Sequence, residues 1–222
     1  PFCKSICSFC NYERLRPSHP DMLRSYMERT LSSIRSLASK VGQLEFHSLY
    51  FGGGTPSVLP AEMLSELLHA IDSAFRFHPA NGRHFEFDPA VMNEKKLRIT
   101  REHGFQHYSF GIQTLDSRIH LAHNRGAQHK ELVALRFEEM KAEEVEDISC
   151  DILLGLEGTN PDQMLSELDL LLAEHGPTRV DIFMLTPTHD YVEAHFGGSF
   201  ERFWAHMRLF EEAIPSAMPA LA

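Results

Sequence analysis

Three cysteines crowd the start of the chain: Cys3, Cys7 and Cys10 form a C-x3-C-x2-C run. Three thiolates at this spacing can hold three irons of a [4Fe–4S] cube and leave the fourth iron open to a small molecule. The pattern therefore suits a catalytic cluster better than an electron-transfer one. Zinc held by the cysteines and His19 is a second reading, although zinc sites more often pair their ligands as two separated C-x2-C units. Unpaired structural thiols are a third. Further along, Phe51-Gly52-Gly53-Gly54-Thr55-Pro56 offers glycines that let the backbone approach a ligand, with N–H and C=O groups able to bind a charged amino-acid moiety. Taken singly, such a turn more often only links a strand to a helix.

These groups need elements to hold them. Leu23, Tyr26, Met27, Leu31, Ile34, Leu37, Ala38 and Val41 recur at helical steps and predict a long amphipathic helix from Asp21 to Val41. A short aromatic run over 46–51 predicts a buried strand entering the glycine turn. Alternation continues with a helix over 60–77, a strand over 84–87, a helix over 93–103 and a strand over 107–112. It goes on with a helix over 128–142, a strand over 147–154, a helix opened by Asn160-Pro161 and a strand over 179–185. Strands separated by helices imply parallel pairing with right-handed crossovers, in either a (β/α) barrel or a doubly wound sheet. After Pro187 the pattern weakens, and only 200–213 reads as helical.

With 222 residues, 43% hydrophobic and 23% charged, the chain can bury one full α/β core, and no repeat or linker marks a second. The net charge of −10 argues against a nucleic-acid backbone as partner. No apolar run reaches the roughly 20 residues of a membrane span, and no signal peptide opens the chain. Crowded cysteines are unlike a disulfide framework, so a reducing cytoplasm is the expected location.

The motifs occur together and in order: Pro-Phe before the cysteines, GGGTP, Glu86-Phe87-Asp88-Pro89, Ser109-Phe110-Gly111-Ile112-Gln113-Thr114, Asn124-Arg125, and Asp151-Ile152-Leu153-Leu154-Gly155-Leu156. In this register, from Pro1 to about Thr188, the chain resembles the radical SAM group of oxygen-independent coproporphyrinogen III oxidases and HemW-type heme chaperones. The resemblance implies a partial (β/α)6 TIM-like barrel over 1–190, with an active face at the strands' carboxyl ends. It implies a [4Fe–4S] cluster on Cys3, Cys7 and Cys10, and S-adenosylmethionine (SAM) held by Gly53, Gly54, Thr55, Glu86, Gln113, Arg125 and Asp151. It also implies reductive SAM cleavage to a 5′-deoxyadenosyl radical, fed by a flavodoxin- or ferredoxin-like electron donor. The substrate would be a small organic or tetrapyrrole-like molecule undergoing oxidative decarboxylation, methylation or cyclopropanation. The alternative is a HemW-type chaperone that delivers heme.

Three departures from that family stand out. Tyr12 occupies the place of a fourth cysteine in the porphyrinogen oxidases, which brings the chain nearer to HemW and to radical methylases. Glu157 stands where proline usually follows Gly-Leu. The family's first barrel strand is expected before Pro1 and its C-terminal domain after the barrel, so residues 191–222 read as the start of the following region. Cys150, inside an apolar strand, reads as packing and not as a ligand. His47, His84 and His107 read as ordinary barrel residues.

Overall fold

The computed structural model describes residues 1–78 and 82–217. In chain order its elements are α1 (Pro20–Val41), β1 (Glu45–Phe46), β2 (Leu49–Phe51), α2 (Ala61–Ala74), β3 (Arg76–Phe77), β4 (Arg83–Phe87), α3 (Glu94–Glu102) and β5 (Phe105–Gln113). There follow α4 (Ser117–Ala122), α5 (Lys130–Ala142), β6 (Asp147–Leu154), α6 (Pro161–Leu170), β7 (Arg179–Met184), α7 (His189–Phe196) and α8 (Phe200–Ala217). One parallel sheet runs β2-β4-β5-β6-β7. The five expected strands are therefore all present and all parallel, as the alternation with helices requires.

The helix boundaries follow from capping. His19 accepts the Asp21 N–H and Pro20 opens α1, while Gly42 in a positive-φ conformation closes it. Asn93 and Asn160 cap α3 and α6 by accepting the N–H groups of Lys96 and Gln163. Two boundaries differ from the sequence reading. The run 46–51 is broken at His47-Ser48, because Glu45–Phe46 pairs with Arg76–Phe77 in a separate two-stranded sheet. For the same reason α2 stops at Ala74 instead of reaching Phe77: Phe46 packs its ring against Phe75 and Phe77, at 5.4 and 5.9 Å between centroids. Two helices, α4 and α7, went unforeseen. They span 6 and 8 residues, too few turns for a periodic pattern to declare itself.

Strand alternation gives the sheet two unlike faces. Phe85, Phe87, Tyr108, Phe110, Ile112, Cys150, Ile152 and Leu154 point into the helical layer, where Leu64, Leu68, Leu97, Phe137, Met164 and Leu168 meet them. The opposite residues, among them Glu86, Ser109 and Asp151, face a cavity. Helix α7 crosses residue 190, and α8 seats Phe203 and Met207 beside Leu185, and Phe210 and Ile214 in the main core. Among the described residues no helix is long and apolar enough to cross a membrane.

Candidate functional site

The cavity, of about 460 Å³, lies where the strands end and the cysteine loop folds over them. All ten residues singled out above line it: Cys3, Cys7 and Cys10 from the loop, and Gly53, Gly54, Thr55, Glu86, Gln113, Arg125 and Asp151 from strand ends and turns.

The loop is closed at its base and pinned to the glycine turn. Phe2 bridges Leu15, with the Cys3 N–H donating to the Leu15 carbonyl at 3.0 Å and the Leu15 N–H to Pro1 at 2.8 Å. The Thr55 N–H then donates to the Phe2 carbonyl at 2.8 Å. A side chain at residue 54 would put its Cβ 2.8 Å from that same oxygen, so Gly54 is required for the approach. Gly53 instead needs its freedom for a φ of 119° that other residues rarely adopt. Inside the loop, Arg14 donates to the carbonyls of Cys7, at 2.9 Å, and Tyr12, at 2.8 Å.

Three thiolates sharing one zinc ion, each about 2.3 Å from it, could lie no more than about 4.6 Å apart. Among the described residues, the trio of metal-capable groups gathered within 4.8 Å is His123, Glu157 and His195, not the cysteines. His19, the other zinc candidate, is occupied as the α1 cap and does not line the cavity. Three free, partly exposed thiols on one roomy cavity are the soft donors that an iron–sulfur group takes, so the donor set fits a [4Fe–4S] group. Burial raises the pKa of the Cys7 thiol, and the Arg125 guanidinium beside it works against that rise. Cys150 is fully buried on the helix-facing side, outside the cavity.

The cavity's polar residues are held ready by one another. Glu86 accepts the Gly53 N–H at 3.0 Å on one oxygen and the Tyr50 hydroxyl on the other. Arg125 follows Asn124, which sits at a φ of 57°. Its guanidinium donates to the Gly111 carbonyl and lies 3.4 Å from an Asp88 oxygen. The side chain is only 10% exposed, yet its Nε has no protein partner. A buried, unpartnered donor beside a polar cavity is what an anionic ligand would complete, so the SAM set also fits. Asp151 accepts from Ser109 Oγ at 3.1 Å, and its pKa is pushed up to about 6. Burial is the main cause and Ser109 opposes it; Asp181 and Glu86 add to the rise, while Arg125 counters it. Gln113 closes β5 at a φ of 71°, beyond a bulge at Gly111.

The sequence reading missed several supporting residues. Asp88 pairs with Arg125, although the sequence reading quoted it within the Glu86-to-Pro89 motif and gave it no role. Ser57, fully buried, accepts the Asp88 N–H at 3.3 Å, and Lys96 Nζ holds the Ser57 carbonyl at 2.6 Å. Glu167 anchors the turn after Gln113 by accepting from Thr114 Oγ at 2.8 Å and the Leu115 N–H at 2.7 Å. No local pattern marks such partners, because they meet across 52 and 53 residues of chain.

The profile of the Radical SAM superfamily matches residues 1–171. The chain is 28% identical over 186 residues to an oxygen-independent coproporphyrinogen III oxidase from Paracoccus denitrificans, covering 82% of this chain and 40% of that protein. It is 30% identical over 163 residues to the heme chaperone HemW of Bacillus subtilis, covering 71% and 41%. The fold superposes on coproporphyrinogen III oxidase (HemN) from Escherichia coli with a TM-score of 0.85 at 21% identity, over 99% of this chain and 51% of that one. The chain thus spans about two-fifths of the length of these curated relatives and about half of the solved one. With its cysteine loop, glycine turn and strand-end polar groups on one cavity, the chain belongs to the Radical SAM superfamily.

Proposed function

We propose that this chain carries the cluster and SAM site of a radical SAM enzyme acting on a small organic or tetrapyrrole-like substrate. The observation that supports the reading is the convergence of three cysteines and seven residues from strands and turns on one cavity. When bound, the cluster supplies the electron that splits the SAM sulfonium and so yields the 5′-deoxyadenosyl radical, with a flavodoxin- or ferredoxin-like protein as donor. The chain's own residues place the cosubstrate. Cys3, Cys7 and Cys10 would ligate the irons. Arg125, fixed by Gly111 and Asp88, presents a guanidinium to the SAM carboxylate. Glu86 and the carbonyls of the Gly53-Gly54-Thr55 turn accept from its ammonium group, and Asp151 and Gln113 reach its ribose and polar edges. Aromatic and apolar neighbours such as Phe9, Leu153 and Phe183 line the remaining wall and limit water around the reacting carbon.

A HemW-type heme chaperone is the second reading. Tyr12 favours it over a porphyrinogen oxidase: the residue is 73% exposed at the cavity rim, where those enzymes carry a fourth cysteine. Anaerobic reconstitution of the full-length protein separates the two. Release of 5′-deoxyadenosine with consumption of a substrate supports the enzyme. Stoichiometric heme uptake with no SAM turnover supports the chaperone.

A further inference from the structure

Beside the cysteine loop, among residues that do not line the cavity, three histidine-bearing and serine-bearing segments meet. His195 of α7 places Nε2 2.9 Å from Ser8 Oγ, across 187 residues of chain. Ser8 Oγ lies 3.2 Å from His123 Nδ1, and His123 Nε2 lies 3.0 Å from the Glu157 carbonyl oxygen. The Ser8 N–H also donates to the His123 carbonyl at 2.9 Å.

The chemistry fixes the direction of this chain of bonds. A carbonyl oxygen only accepts, so His123 carries its proton on Nε2. In the neutral ring Nδ1 must then accept, and the Ser8 hydroxyl donates to it. The Ser8 oxygen is left to accept from His195 Nε2–H. Each bond in the series then has one donor and one acceptor, and His123 itself is fully buried.

The departure at Glu157 completes the arrangement. Its N–H donates to Tyr191 Oη at 3.0 Å, and the Tyr191 ring stacks on His123 at 5.6 Å. A proline, usual at this place in the family, has no N–H to give.

We propose that His195, Ser8, His123 and the Glu157 backbone form a strut that positions the Cys7-to-Cys10 half of the loop on the barrel. These are positioning residues, acting through Ser8 on the flanking cysteines. Their effect on a cluster rests on the function proposed above, but the strut is testable in the protein without one. Hydrogen exchange of the Ser8 amide reads the strut directly. His195→Ala and Ser8→Ala should each speed that exchange about five- to tenfold, the size expected for one lost hydrogen bond. His195→Gln keeps a donor at similar reach and should restore the parent rate. After anaerobic reconstitution, the two alanine variants should lose iron to a chelator faster by a similar factor, and His195→Gln should not.

Unchanged exchange of the amide at residue 8 in both alanine variants, once corrected for its intrinsic rate, would overturn the strut. So would a glutamine variant as fast as the alanine one, which would reduce His195 to packing. Stoichiometric zinc on the parent protein, released by His195→Ala with the cysteines intact, would also overturn it, since the histidines would then be ligands. A parent protein that takes up no iron would sink the cluster reading, while the exchange result would still judge the strut.

Discussion

The two faces of the central sheet come from the same strands and have opposite chemistry. On β4, Phe85 and Phe87 are almost fully buried against the helices, while His84 and Glu86, alternating with them, face the cavity side. On β5, Tyr108, Phe110 and Ile112 alternate with His107, Ser109, Gly111 and Gln113. The interiors of most barrels are packed with branched apolar side chains. Here that side carries carboxylates at one level and, below them, His84 stacked on His107 at 4.3 Å, with His107 bonded to Asp147. The helix-facing residues thus hold the fold, and the cavity-facing ones are free to bind. Substitutions on the two faces should separate stability from ligand chemistry.

The largest expected effect is on the cavity side alone. Cys7→Ala removes one of the three proposed ligands, and reconstituted protein should hold no cluster, where the parent should hold about four irons and four sulfides per chain. Its thermal unfolding without iron should match that of the parent, since Cys7 is only half-buried in a loop. A variant that still takes up four irons would break the assignment.

Next is the helix-facing side. Phe110 is fully buried and packs on Phe87 at 4.2 Å and Phe137 at 5.0 Å. Phe110→Ala should cost about 3–5 kcal/mol in denaturant unfolding. Glu86→Gln, on the same sheet but facing the cavity, should cost about 1 kcal/mol or less. Equal losses would erase the distinction between the faces.

Third, Arg125→Ala should weaken SAM binding by about 1.5–3 kcal/mol, roughly ten- to a hundredfold, with the cluster intact. Asp88→Asn should weaken it less, because Asp88 orients Arg125 and, in the proposed site, does not touch SAM. Calorimetric titration of both variants measures the pair. An effect of Asp88→Asn as large as that of Arg125→Ala would move Asp88 itself into the site.

The two faces were not equally legible in the sequence. Periodicity exposed the helix-facing side, because Phe85, Phe110 and Ile152 sit in runs whose partners are local helices. The cavity side was legible through the family register, which placed Glu86, Arg125 and Asp151 on one wall despite their separation in sequence. What stayed hidden depends on contacts without local pattern. Glu167 reaches Thr114 across 53 residues, and His195 reaches Ser8 across 187. The little β1–β3 sheet was hidden for another reason: two residues per strand give alternation nothing to repeat. His84 and His107, read as ordinary barrel residues, turn out stacked in one polar row on the cavity side.

The smallest effect tests whether the cavity side carries a measurable cost for its chemistry. Asp151 has its pKa raised to about 6, chiefly by burial, with the Asp181 and Glu86 charges adding to the rise and Ser109 and Arg125 resisting it. In the unfolded chain it titrates near the ordinary value of about 3.9. Between those two values the folded state binds the proton more tightly, so raising the pH through this window favours the unfolded state. The contribution to stability is therefore full below about pH 4 and is lost by the time pH passes about 6. Asp151→Asn removes the titration, so the variant should gain on the parent between pH 4 and pH 7 by on the order of 1 kcal/mol, read from urea unfolding at both pH values. SAM affinity should follow the opposite course. The ionised carboxylate is the better acceptor for ribose hydroxyls, so parent affinity should rise through pH 6 while that of Asp151→Asn stays flat. If the stability difference between parent and variant does not change with pH, Asp151 is not a strained carboxylate, and the cavity side is as relaxed as the helix-facing one.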